Sequence, residues 1–130
     1  MQVENTIGIN SYKKINIIFS ILIIFIFFYT YLLPYLNITL KSSCEGLPLV
    51  YCKSKGLTRA FSQILRFNLN AALLLNSYSI KIFSFFLVQL VARNFINFSL
   101  TTTNYKKIIV IDISITSVYF IFSFVNLIIP

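Results

Sequence analysis

Three groups of residues in this chain have the types and spacing to do chemistry. Arg59 follows Gly56, Leu57 and Thr58, with Arg66 seven positions further on. A forked guanidinium near a helix start is a binding element for phosphate or carboxylate. Cys44 and Cys52 stand eight positions apart, a spacing that permits a disulfide across a small loop. Asp112 lies about one turn inside an apolar run, and Lys81, Arg93 and Asn76 are polar residues in or beside other apolar stretches. An ionisable group in such a setting is by default a functional candidate.

Each group also has a structural explanation. Asp112 finds a local ion-pair partner in Lys107 or in the head of Arg93 as it snorkels toward the nearer surface. Arg59 serves equally well by binding a carbonyl or carboxylate of the same protein or a partner, which would pin the short helix. Gly56 permits close backbone approach, and Thr58 could cap that helix through its hydroxyl. A Cys44–Cys52 disulfide needs an oxidising compartment, and two free thiols are the alternative. With no histidine and only two cysteines, the chain lacks the four ligands of a structural zinc site. It shows no nucleophile–base pair and no phosphate loop, so no metal or cofactor is expected.

These residues sit in an unusually apolar chain. Of its 130 residues 58% are hydrophobic and 11% charged, and its mean hydropathy is +0.84, against roughly 45 to 50% apolar residues in a soluble domain. Three apolar stretches approach or exceed the length needed to cross a hydrocarbon core, about 20 residues. The expected fold is an all-α integral membrane protein with three transmembrane helices and an interfacial amphipathic helix between the first and second. The net charge of +8 belongs to residues flanking the apolar stretches. Anionic lipid headgroups are therefore the expected partner, and nucleic acid is not.

In chain order, residues 1–14 read as a mobile polar leader and residues 15–130 as one membrane domain. The first span covers about 15–36, with Tyr29, Tyr31 and Tyr35 at its far end and Pro34 ending or bending its last turn. A turn-rich loop follows. Leu57, Phe61, Ile64 and Leu65 then repeat at helical spacing opposite Thr58, Arg59, Ser62, Gln63 and Arg66, which predicts an interfacial amphipathic helix. Its apolar side would lie in acyl chains, on its own spans, or both. A second short helical piece, ended by Asn76 and Ser77, extends this region over about 57–75.

The second span is better placed at 78–98 than at 71–92. The earlier register leaves Lys81 at the bilayer centre, a cost of about 2.5 to 3.5 kcal/mol. The later one lets Lys81 and Arg93 snorkel to opposite faces. A short polar connection leads to the third span at 108–129.

Basic residues divide evenly between the two sides. Lys13, Lys14, Arg93, Lys106 and Lys107 cluster tightly at span ends, whereas Lys41, Lys53, Lys55, Arg59 and Arg66 partly belong to the amphipathic helix, which favours the N-terminus inside and residues 44–67 outside.

Cys52, Gly56, Leu57, Thr58, Arg59, Ala60 and Phe61, together with the preceding Cys44 and the later Asn76, resemble the bacterial domain-of-unknown-function 2752 family over about residues 44–93. Its signature is Cys-Pro-x-Cys-Gly-x-Thr-Arg, with an Asn-Pro before the following span. Here Lys53 replaces the proline, Lys55 the second cysteine and Ser77 the later proline. The resemblance implies a small membrane domain of the bacterial inner membrane, without the family's Cys-x-x-Cys pair.

The expected function is a non-catalytic accessory subunit or assembly factor of a larger membrane complex, whose partners are other integral membrane subunits. Asn76, Ser84, Gln89, Ser114, Thr116, Ser117, Ser123 and Asn126 are available for helix contacts. The alternative is a membrane enzyme or lipid-handling protein that binds an anionic headgroup through Arg59, using Cys52 or Asp112.

Overall fold

A computed structural model of the chain describes residues 2–36, 46 and 52–129. Those residues form five helices: α1 (Gln2–Leu36), α2 (Leu57–Leu65), α3 (Leu69–Leu75), α4 (Ser79–Ser99) and α5 (Tyr105–Ile128). Three of them, α1, α4 and α5, are long and apolar enough to cross a membrane.

Helix α1 runs without interruption through the segment expected to be a mobile leader. The cause is a stripe of inward-facing residues that begins before the apolar run: Ile9, Asn16, Ser20, Ile23 and Thr30 are all buried. Their seven-, four- and three-residue spacings keep one helical face toward the neighbouring helices. Pro34 lies two residues before the helix ends at Leu36.

Helices α4 and α5 cover the second and third apolar stretches, with α5 starting at Tyr105, ahead of the apolar run. Helix α4 starts at Ser79, so Lys81 lies in its first turn, with its ammonium 4.2 Å from the centroid of the Phe122 ring. Residues 100–104 join α4 to α5.

Helix α2 begins where the apolar pattern begins, but its inner face is protein. Ala60, Phe61 and Ser62 are buried, and the Phe61 ring meets Phe83 and Phe86 of α4 edge-on at 5.4 and 6.1 Å. The helix thus packs on its own long helices, as the pattern allowed, and Ser62 belongs to the inner face and not to the polar one. Asn68 caps α3 by accepting from the Ala71 amide at 3.3 Å. Asn76 ends α3 and leads into α4.

Aromatic rings fill the middle of the molecule. Phe27 stacks on Phe83 at 4.9 Å, and Phe85 contacts Phe86, Tyr119, Phe120 and Phe124. Ring pairs of this kind add about 0.5 to 1.5 kcal/mol each beyond the area they bury. The polar clusters lie at the two ends of this aromatic layer.

Candidate functional site

The first cluster is centred on Arg93 and Asp112, which the hairpin of α4 and α5 brings together. The guanidinium meets the carboxylate in a fork, Nη1 to Oδ2 at 2.6 Å and Nη2 to Oδ1 at 2.7 Å. A two-pronged, charge-assisted arrangement is the strong form of this pairing. Both residues are buried. The Arg93 head is thus held among the helices by its partner. Of the two cations expected to neutralise Asp112, Arg93 makes the ion pair.

The remaining donors of Arg93 are all used. Nε and Nη2 donate to Gln89 Oε1 at 3.2 and 2.9 Å. Nη1 also reaches Asn16 Oδ1 at 3.1 Å and Nη2 the Thr116 hydroxyl at 2.9 Å. Gln89 lies one turn before Arg93 and Thr116 one turn after Asp112, so helical spacing alone supplies both. On the carboxylate, Oδ2 accepts from the Tyr12 hydroxyl and Oδ1 from the Thr116 hydroxyl.

Helix α1 closes the cluster with Tyr12 and Asn16. The Asn16 amide nitrogen donates to Asn97 Oδ1 at 2.8 Å, and Asn97 donates to the Lys13 carbonyl at 3.3 Å. All three long helices therefore meet in one network. A buried ion pair recovers its desolvation cost only when the remaining hydrogen-bonding positions are also filled, and here they are. Such an arrangement holds helices together. It leaves neither a free base nor an unpaired cation for a substrate.

Tyr12, Asn16 and Asn97 were not recognised as members of this cluster from sequence. Tyr12 falls within the polar leader, and an Asn on a long helix carries no distinctive signal. The useful clue was the pair Tyr12 and Asn16, one helical turn apart and continuous with the inward stripe that follows.

The second cluster, at the opposite end, contains the residues of the short motif. Asn76 donates from its amide nitrogen to the carbonyls of Lys53 and Lys55, at 2.8 and 3.0 Å, and accepts from the Tyr78 amide at 2.9 Å. One side chain thereby fixes the turn before α2 and the start of α4. Gly56 has φ +78°, and a Cβ on it would stand 2.7 Å from the Leu75 carbonyl oxygen. Glycine is required there for both reasons. The Lys53 ammonium donates to the Ile129 carbonyl, which ties the turn to the end of α5.

Thr58 does not cap α2. The cap position is Gly56, without a side-chain hydrogen bond, and Thr58 is the second residue of the helix. Thr58 and Arg59 are both exposed. Arg66 instead turns back onto α1, with its guanidinium carbon 5.3 and 5.2 Å from the Tyr31 and Tyr35 ring centroids and Nη2 donating to the Tyr31 carbonyl at 3.0 Å. The four residues of the expected anion or partner site are thus divided: Gly56 and Arg66 have internal structural contacts, while Thr58 and Arg59 face outward.

Cys52 is disulfide-bonded, and Cys44 lies outside the described residues. Among the described residues, no three His, Cys, Asp or Glu side chains gather as a metal site would require. The hydroxyls of Ser62 and Ser123 are buried without a hydrogen-bond partner. Comparison of the chain with protein-family models, curated proteins and solved structures finds no match.

Proposed function

We propose that this protein is a non-catalytic accessory subunit or assembly factor of a larger membrane complex, inserted through α1, α4 and α5. The observation that carries this reading is the Arg93–Asp112 network. It contains Asp112, a carboxylate on a helix long and apolar enough to cross a membrane, and commits every hydrogen-bond donor of its arginine to joining the protein's own helices. What remains to offer a partner is helix surface.

Helix α5 is the best placed of these surfaces. It is buried only at Asp112 and Ser123, and Ser114 and Ser117 lie exposed among Val110, Ile113 and Val118. Both serine hydroxyls return to carbonyls one turn back, at 2.8 and 2.7 Å. Small residues without an outstanding hydrogen-bond demand favour close approach of a second helix in lipid.

The resemblance to the domain-of-unknown-function 2752 family fits the same reading. Gly56 and Asn76, which match its pattern, have contacts that shape the turn without any help from the missing cysteine. We place the protein in the bacterial inner membrane with its N-terminus inside, as the tight clustering of Lys13, Lys14, Lys106 and Lys107 supports.

A photo-crosslinking residue at Ser117 tests the proposal in native membranes. Discrete adducts to one or a few membrane proteins are expected. Adducts to lipid alone would contradict it. Lipid handling through Arg59 is the second reading, favoured by the exposure of that side chain in the first turn of α2.

A further inference from the structure

We infer that the α2–α3 hairpin is a lipid anchor, in which Phe67 and Leu74 enter the acyl-chain boundary and Arg59 meets anionic headgroups. The inference rests on the membrane reading above and assigns the lipid-facing part of this region to the turn and to α3. On α2, protein covers Phe61, while Leu57, Ile64 and Leu65 are half-buried.

Phe67 lies between the two short helices with φ +62° and is 93% exposed. A bulky side chain seldom adopts left-handed backbone geometry, where glycine or asparagine is usual. An aromatic ring held there and presented outward gains nothing in water. Leu74 on α3 is 89% exposed, and Leu69 and Leu73 are also exposed. In the same hairpin Ala60, Phe61 and Ala72 are buried, so the exposure is confined to particular positions.

The depth of the hairpin follows from Arg66, which is stacked against Tyr31 and Tyr35. Those tyrosines stand 16 and 20 residues beyond Ile15. At 1.5 Å per residue that is about 24 to 30 Å along α1, close to a hydrocarbon core of about 30 Å. The rings therefore reach the far interface, where tyrosine is favoured, and Arg66 holds α2 at the same level.

Charge selects the kind of lipid. Residues 52–78 include Lys53, Lys55, Arg59 and Arg66 and no Asp or Glu. Arg59 makes no hydrogen bond or ion pair among the described residues. An exposed guanidinium on a hairpin that also exposes apolar groups is complementary to an anionic leaflet.

The chain contains no tryptophan, so Phe67→Trp introduces a single fluorophore at the proposed anchor. Phe25→Trp places one at an exposed position midway along the apolar run that begins at Ile15. Each full-length variant is reconstituted in phosphatidylcholine vesicles with brominated acyl chains, with and without phosphatidylglycerol. At position 67 the expected result is blue-shifted emission that is quenched by bromine. Quenching should deepen with phosphatidylglycerol, and Arg59→Gln should remove that increase.

Water-like, unquenched emission at 67 with strong quenching at 25 would overturn the anchor while leaving the membrane reading intact. Absence of quenching at both positions would overturn both. Quenching at 67 that ignores phosphatidylglycerol would overturn the assignment of Arg59 to anionic headgroups.

Discussion

Arg93 and Asp112, 19 positions apart in sequence, face each other with two parallel hydrogen bonds of 2.6 and 2.7 Å inside the angle between α4 and α5. Because Tyr12 and Asn16 bond to the same two groups, the pair also fixes α1. Helix association in lipid has no hydrophobic driving force between the helices, so polar contacts of this kind specify which faces meet.

Removing one partner should therefore do more harm than removing both. Arg93→Met leaves a buried carboxylate without its cation and should cost about 3 to 5 kcal/mol. Asp112→Leu should be similarly damaging. Combining the two substitutions should be clearly milder than either alone. Thermal unfolding of the purified protein in detergent gives the comparison, and a double variant as unstable as the sum of the singles would show that the groups do not act as a pair.

At the other end, Asn76→Ala removes a donor shared by the Lys53 and Lys55 carbonyls, an expected loss of about 1 to 3 kcal/mol. Asn76→Asp should be worse, since it points negative oxygen at two carbonyls. Faster amide exchange confined first to the Lys55 and Leu57 region is the expected signature, because those amides bond within the turn at 3.1 and 3.2 Å. Uniform exchange across the whole chain would deny Asn76 a local role.

Gly56→Ala combines a left-handed backbone with a Cβ 2.7 Å from the Leu75 carbonyl oxygen. The conformational part alone is about 1 to 2 kcal/mol, and the contact is with backbone, which cannot swing aside. Reduced unfolding temperature and earlier proteolysis in the turn before α2 should follow. An unchanged melting profile would mean that the turn relaxes freely.

Two serines should respond in the opposite direction. Ser123 and Ser62 bury hydroxyls without partners, so Ser123→Ala and Ser62→Ala should be neutral or stabilising, by up to about 1 kcal/mol. Ser84→Ala is the matched comparison. Its hydroxyl lies 2.9 Å from the Tyr119 hydroxyl across the α4–α5 contact, and its loss should destabilise. Denaturation of the three variants side by side distinguishes the cases, and equal losses at all three positions would contradict them.

Much of the helical plan could be read from the sequence. The cost of burying Lys81 argues for a helix that starts late, and α4 starts at Ser79, just after the break at Asn76. The amphipathic pattern located α2, but it could not tell whether lipid or protein would cover the apolar face, since both accept Phe61 equally well. Asp112 was identifiable because a charge in an apolar run is conspicuous, and Arg93 was already one of its two candidate partners. Tyr12, Asn16 and Asn97 were hidden because neutral polar residues are tolerated in many settings, so their value depends on which helices come together. Gly56 was legible as a point of close approach, while its neighbour, the Leu75 carbonyl, is set by the folding back of α3.

Purification of the tagged protein from native membranes in a mild detergent, with quantitative mass spectrometry of the purified material, tests the central claim most directly. An accessory subunit should bring a defined set of integral membrane proteins in fixed ratio, and Ser117→Phe on α5 should deplete that set while leaving this protein's own abundance unchanged. Recovery of the chain alone, or as a homo-oligomer carrying only phospholipid, would contradict the subunit reading and favour lipid handling.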